Sequence, residues 1–351
     1  MRLESHIHSP QQGGVFIALL VLLVVGAAAG YWLWHDYQRF QQAPLVLSDR
    51  GVNYRIEPGT TLTAIANDLA DKGILRQPLY LRLLARERAD ANRIKAGEYH
   101  IPGGTTAVAL LDQLVRGKVI EYSVTLIEGW NFQQVLSAVR THPMIVQTLS
   151  ESLSTEQLME AIGLQGQHPE GQFYPDTYLF PRGTTDKEFL QRAYQSMQNI
   201  LAEEWEQKDK DLPLETPYEA LILASIIEKE TVLPEERTEI AGVFTRRLEK
   251  GMLLQTDPTV IYGIDNFDGN IRRRDLKKDT PYNTYTRAGL PPTPIAMPGR
   301  DAIYAALHPA DGKSLYFVAT GNGGHYFSAT LKEHNRAVNK YQIQRRKQRS
   351  E

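Results

Sequence analysis

From Val15 to Trp34 the chain reads VFIALLVLLVVGAAAGYWLW, with no charge and no polar face. About 20 apolar residues make roughly 30 Å of helix, enough to cross the hydrocarbon core of a bilayer once. Tyr31, Trp32 and Trp34 close the run, and aromatic rings favour the headgroup zone. The apolar core of a cleaved signal peptide is normally shorter. The pattern therefore predicts an uncleaved anchor over 15–34, preceded by a short tail over 1–14. Arg2 and Glu4 precede the span, and Arg39 and Arg50 follow it. That balance leaves the orientation open.

Beyond the span, HDYQRFQQAPLVLSDRG (35–51) has no clear period, and residues 35–50 read as a stalk. A recurring phrase follows. YRIEPGTTLTAIANDLADKGIL (54–75) gives an extended run, a Pro-Gly turn, a threonine cap and an amphipathic helix. HIPGGTTAVALLDQLVRGKV (100–119) repeats that order, and VTLIEGWNFQQVLSAV (124–139) echoes it more loosely. The first two phrases bracket a helical LYLRLLARERAD. Together they predict a small α+β unit over 51–122, which resembles a LysM-like module of the kind that lies along glycan chains. Strand–turn–threonine–helix is also common local grammar, so a packing role without a ligand stays open.

A larger α+β region is expected over 123–340, followed by a basic tail over 341–351. EGQFYPDTYLFPRGTT (170–185) reads as ordered loop with short strands, and 187–207 as a helix. In TPYEALILASIIEKET, Thr216 is placed to cap, Pro217 opens the helix and Glu219 completes a capping box. EERTEIAGVFTRRLEKG predicts a second helix closed by Gly251. LQTDPTVIYG (254–263) and YNTYTRAGLPPTPI (282–295) read as segments without regular helix. Residues 301–308 read as helix, SLYFVAT (314–320) as strand and LKEHNRAVNKYQIQRRKQ as a basic terminal helix.

Composition narrows the classes. With 351 residues the chain exceeds one ordinary domain, and 42% hydrophobic with 23% charged residues suits a folded protein. A net charge of −2 gives no basic field, so nucleic acid is not an expected partner. The absence of cysteine excludes disulfides, thiolate zinc sites and cysteine nucleophiles. His325 and His334 match no standard ligand spacing, so no metal is expected.

The chemistry points to the end of the apolar helix, where Glu228 and Glu230 flank Lys229. An acid there can simply mark where a helix reaches water. Spacing does not choose between the two. Glu228 shares a face with Leu221, Ala224 and Ser225, whereas Glu230 shares the greasier one with Leu223, Ile226 and Ile227. Downstream, LQTDPTVIYG and YNTYTRAGLPPTPI mix amide, hydroxyl, carboxylate and aromatic groups. That mixture suits sugar polymers, with flat rings under pyranose faces and polar groups on hydroxyl and N-acetyl substituents.

EGQFYPDTY, ASIIEKET, LQTDPTVIYG, YNTYTRAGLPPTPI and GGHYFSAT, in this order after one anchor, resemble the endolytic murein transglycosylase family (MltG, also called YceG-like). The resemblance covers most of 50–340. It implies a single-pass inner-membrane protein with a cytoplasmic N-terminus and a periplasmic catalytic domain. The implied activity is internal cleavage of nascent peptidoglycan strands, without a cofactor, alongside peptidoglycan synthases. It implies that the first acid of the E-K-E-T segment, Glu228, is catalytic. Gln255, Asp257, Asn283 and Tyr285 are candidate glycan contacts, with Glu230 as a further candidate near the reacting bond. Glu170 and Asp176 read as turn and cap acids, and IRRRDLKK (271–278) as a solvated basic face.

The implied reaction breaks the β-1,4 bond between N-acetylmuramic acid and N-acetylglucosamine, and its leaving oxygen needs a proton. A carboxyl supplies one near neutral pH only where burial raises its pKa. The same group, once ionised, can take the proton of the muramyl C6 hydroxyl as that oxygen closes on C1, leaving a 1,6-anhydro end. A muramidase using water wants a second carboxylate, and Glu230, Asp257 and Asp176 are all candidates. Hydrolysis and a non-catalytic glycan-binding scaffold remain the alternatives at this point.

Overall fold

The structure, a computed structural model, describes residues 11–343. Residues 1–10 of the expected tail and the basic terminus beyond 343 lie outside the described residues. The fold mixes α and β and divides into two units, Met1–Glu121 and Tyr122–Glu351.

In the first unit, helix α1 spans Gln11–Gln42. Its Phe16–Gln42 portion is long and apolar enough to cross a membrane, and residues 16–34 are exposed. The helix does not stop at Trp34. The first half of the expected stalk continues it, because Tyr37 and Phe40, one turn apart, find a core to enter. Tyr80 packs edge-on against both, with ring centroids at 5.4 and 5.5 Å. Behind them lie β1 (Val52–Ile56), α2 (Leu62–Asp71), α3 (Pro78–Glu87), β2 (Gly97–Ile101) and α4 (Ala107–Arg116). The two strands pair antiparallel, Tyr54 opposite Tyr99. Ile65, Leu69, Leu81, Tyr99, Leu110 and Leu111 fill the interior.

The recurring phrase has a shared hydrogen-bond logic. Thr60 Oγ1 donates to Glu57 O (2.7 Å), closing the Pro-Gly turn, while Thr61 accepts from Ala64 N–H (3.2 Å) and caps α2. Thr105 donates to Pro102 O (2.7 Å), and Thr106 caps α4 from Ala109 N–H (3.2 Å). These caps offset orphan donors that a helix start cannot satisfy itself.

The second unit begins with the same element order: β3 (Glu121–Thr125), α5 (Phe132–Thr141), α6 (Thr155–Ala161), β4 (Thr177–Pro181) and α7 (Asp186–Glu206). Strand β3 pairs with β4. Asn131 forms a capping box with Gln134, and Thr184 and Thr185 repeat the turn-and-cap arrangement before α7. Phe132, Phe173, Phe180 and Phe189 anchor this core.

The rest packs around α8 (Pro217–Glu230), set by the expected Thr216–Glu219 capping box. Every residue from Ala220 to Ile227 is buried, as expected of a helix apolar on all sides. It lies against α7, α9 (Pro234–Glu249), α10 (Asp257–Tyr262) and α11 (Arg300–Leu307). Gly242 lets α9 approach the 309–310 backbone closely, since a Cβ there would sit 2.4 Å from Ala310 O. The hairpin β5 (Tyr316–Ala319) and β6 (His325–Ser328) pairs Phe317 with Phe327, and α12 (Leu331–Val338) packs on it. Helix α10 corrects the reading of LQTDPTVIYG as lacking helix: Pro258 opens one short turn-and-a-half there.

Candidate active site

The C-terminal turn of α8 sends its side chains to separate places. Glu228 enters a seam between the 126–131 turn and the start of α11. Its Oε2 accepts from Gly299 N–H (3.0 Å), and its Oε1 lies 3.6 Å from Arg237 Nη2. The side chain is only 7% exposed. Arg237 also meets Asp301 (3.1 Å) and Glu128 (3.8 Å). Lys229 Nζ donates to Gly129 O (3.1 Å), and Gly129 N–H to Met297 O (2.8 Å), so the seam is stitched along its length. Burial pushes the Glu228 carboxyl up, opposed by the Gly299 bond and Arg237.

Glu230 goes elsewhere. It lines an open cleft of about 540 Å³ together with Gln255, Thr256, Asp257, Tyr285, Tyr316 and His325. Glu228 is not among the lining residues. The Glu230 carboxylate accepts from Thr256 Oγ1. Burial raises its pKa, the neighbouring Asp257 charge adds to the rise, and the Thr256 bond with His325 and Arg247 opposes it. Thr256 is itself fixed: its N–H donates to Thr284 Oγ1 (3.1 Å), and its carbonyl accepts from Thr259 Oγ1 (2.8 Å). Buried threonines therefore hold the donor that holds the acid.

Gln255 is exposed at the cleft with a left-handed backbone, φ 50°. That conformation is uncommon for a residue with a side chain and is a place where functional sites store strain. Tyr285 Oη donates to Asp257 Oδ1 (2.7 Å), so an aromatic ring and a carboxylate form one wall. Arg247 forms another. Its guanidinium donates to the carbonyls of Leu315 (2.7 Å) and Leu254 (2.7 Å) under the Tyr316 ring. His325 pairs with Glu236 (2.7 Å), and the His334 ring stacks on Tyr316. No group of three histidines, aspartates or glutamates able to hold a metal occurs among the described residues.

The other candidates separate cleanly. Asn283 is fully buried. Its amide donates to the carbonyls of Asp275, Leu276 and Lys278, and its Oδ1 accepts from Tyr285 N–H. It is a strut that pins the basic 271–278 loop beside the cleft, with its polar atoms spent on backbone. Asp176 caps Thr177 N–H at the start of β4 and does not line the cleft. Glu170 is buried, accepting from Phe132 N–H (3.0 Å) and Tyr262 Oη (3.0 Å). Burial pushes its carboxyl up to about 7. Sequence reasoning passed over Thr256, although it lies between two residues singled out for the site, and it passed over Arg237 and Arg247 in α9.

Residues 54–340 match the model of the YceG-like family, and the chain belongs to that family. It is 32% identical over 306 residues to the endolytic murein transglycosylase of Bacillus subtilis (strain 168), covering 83% of this chain and 84% of that one. It is 27% identical to the endolytic murein transglycosylase of Streptococcus pneumoniae serotype 2 (strain D39), covering 92% of this chain and 64% of the longer relative. Among solved structures, a yceG-like protein from Listeria monocytogenes aligns with a TM-score of 0.52 at 28% identity, over 82% of this chain and 99% of that one.

Proposed function

We propose that this chain is a membrane-anchored lytic transglycosylase that cuts peptidoglycan glycan strands internally, with Glu230 as the proton donor. The named relatives support the reaction class. The choice of acid rests on one observation: Glu230 lines the cleft that gathers the amide, carboxylate and aromatic side chains of three separate segments, and Glu228 does not. This moves the acid two positions from the residue that the resemblance implies. Glu228 becomes a seam residue that fixes the helix end.

In this reading a strand lies in the cleft with its MurNAc–GlcNAc bond at Glu230. Tyr285 offers a flat ring to a sugar, and Gln255 offers an amide to an N-acetyl or hydroxyl group. Glu230, whose neutral form burial favours, gives its proton to the leaving O4 as the C1–O4 bond breaks. The resulting carboxylate takes the C6 hydroxyl proton while O6 bonds to C1. The acid is thereby restored, and no water is consumed. Asp257 lines the same cleft, so a hydrolytic outcome has a candidate second carboxylate.

Mass spectrometry of glycan strands digested by the full chain tests this. Internal fragments ending in 1,6-anhydro-MurNAc support the proposal. Reducing MurNAc ends replace it with a muramidase, and intact strands replace it with a glycan-binding scaffold. In the wider reading, α1 sits in the inner membrane with both folded units on the periplasmic side, where synthases deliver new strands. The β1–α2–α3–β2 order with paired outer strands supports a LysM-like glycan-binding role for the first unit.

A further inference from the structure

We propose that the first unit holds the phosphate of an anionic phospholipid at the junction of α1 with the α2–α3 connection, between Arg39 and Arg76. The inference rests on reading α1 as a membrane span. A cavity of about 390 Å³ opens there, and its lining includes Asp36, Arg39, Phe40, Val46, Leu75 and Arg76. Among the described residues neither guanidinium meets a carboxylate, and both side chains are exposed. Asp36, the acid among the lining residues, already accepts from Tyr80 Oη (3.1 Å). The site thus offers two uncommitted cations over an apolar floor.

Its height above the bilayer identifies the occupant. Asp36 and Phe40 come two and six positions after Trp34 on the same unbroken helix, so they lie about 3 and 9 Å further along the axis. The headgroup layer beyond the hydrocarbon core is itself roughly 5–8 Å thick on each side. Arg39 therefore stands at the level of lipid phosphates. Helix α3 is held at that level along its length, since Tyr80 near its start packs on Tyr37 and Phe40, and Glu87 at its end accepts from Tyr37 Oη (2.5 Å). Its exposed face carries Leu79 and Leu83 among Arg82 and Arg86, a pattern suited to lying in an interface of anionic lipid. Two guanidinium groups lining one cavity supply the charge and the forked donors that a phosphodiester accepts. An isolated phosphate ion would use the arginines but leave the apolar floor uncovered.

The test uses the full chain in nanodiscs of equal phosphatidylglycerol and phosphatidylcholine, with retained lipids counted by native mass spectrometry after release. We expect phosphatidylglycerol to be enriched in the wild type. Arg39→Gln with Arg76→Gln should bring the ratio towards parity, at roughly fivefold per arginine. The control Arg116→Gln with Lys118→Gln, elsewhere in the same unit, should leave enrichment unchanged. Equal enrichment in the Arg39/Arg76 variant, no enrichment in the wild type, or complete displacement by millimolar inorganic phosphate would each overturn the site. A chain that does not enter nanodiscs removes the anchor reading and the site with it. A chain that enters without lipid preference removes the site alone.

Discussion

Glu228 and Glu230, two positions apart on the last turn of α8, bind to different parts of the second unit: one to Gly299 N–H at the start of α11, the other to Thr256 Oγ1 at the cleft. Successive helical positions separated by two residues point about 200° apart, so one helix end reaches a structural seam and the proposed reaction site at once. The two glutamine variants should therefore behave differently. Glu230→Gln is expected to lower anhydro-product formation by roughly 10²–10⁴-fold, the usual worth of a general acid, while melting near the wild type. Glu228→Gln is expected to lose roughly 1–2 kcal/mol of stability, because Arg237 keeps its burial and loses a charged partner, while the folded enzyme keeps most of its turnover. Product assays beside thermal melts would distinguish the roles, and the reverse pattern would return the acid to Glu228.

Thr256 tunes that acid. Its hydrogen bond favours the ionised form of Glu230, so Thr256→Val should raise the carboxyl pKa further. A proton donor works only while protonated, and activity declines as pH climbs through its pKa. The alkaline limb of kcat/KM against pH should consequently move to higher pH in Thr256→Val. A limb that stays in place would show that Glu230 does not control it.

Gln255 combines a left-handed backbone with a place in the lining of the proposed cleft. Gln255→Gly should gain up to about 1 kcal/mol by relieving the left-handed conformation, yet raise KM by removing the amide from the cleft. Denaturant melts and steady-state kinetics on the same preparation would read both changes.

Glu170 makes stability depend on pH. Its carboxyl is raised from 4.5 to about 7 in the fold, so between those values the folded protein holds a proton that the unfolded chain releases. Stability is then fullest below about 4.5 from this group and falls as pH rises to about 7, by on the order of 3 kcal/mol. Glu170→Gln should flatten that slope while an amide oxygen still accepts from Tyr262 or Phe132. Unfolding measured across pH 4.5–7.5 would detect it.

Much of this molecule was legible as local grammar. Thr61, Thr106 and Thr216 cap the helices that their positions predict, and a helix long and apolar enough to cross a membrane follows from uninterrupted apolarity. What failed was long-range. The face shared by Leu223, Ile226, Ile227 and Glu230 was readable, but the cleft at its end is assembled from Gln255, Tyr285 and His325, distant in sequence. Asn283 looked like a sugar contact because an exposed loop amide would be one, and only the fold shows the carbonyls that consume it. The Tyr37–Phe40 pair was too short a signal to reveal that the presumed stalk is a packed helix.

That unbroken helix has a mechanical consequence. With Tyr37 and Phe40 clamped in the core of the first unit and no hinge between them and Trp34, α1 would act, as the proposed span, as the short arm of a lever. Where lipid thickness changes, a span of fixed length adjusts by leaning. On the proposed reading of α1 as a span, the first unit leans with it, and bilayer thickness sets the attitude at which that unit stands over the membrane.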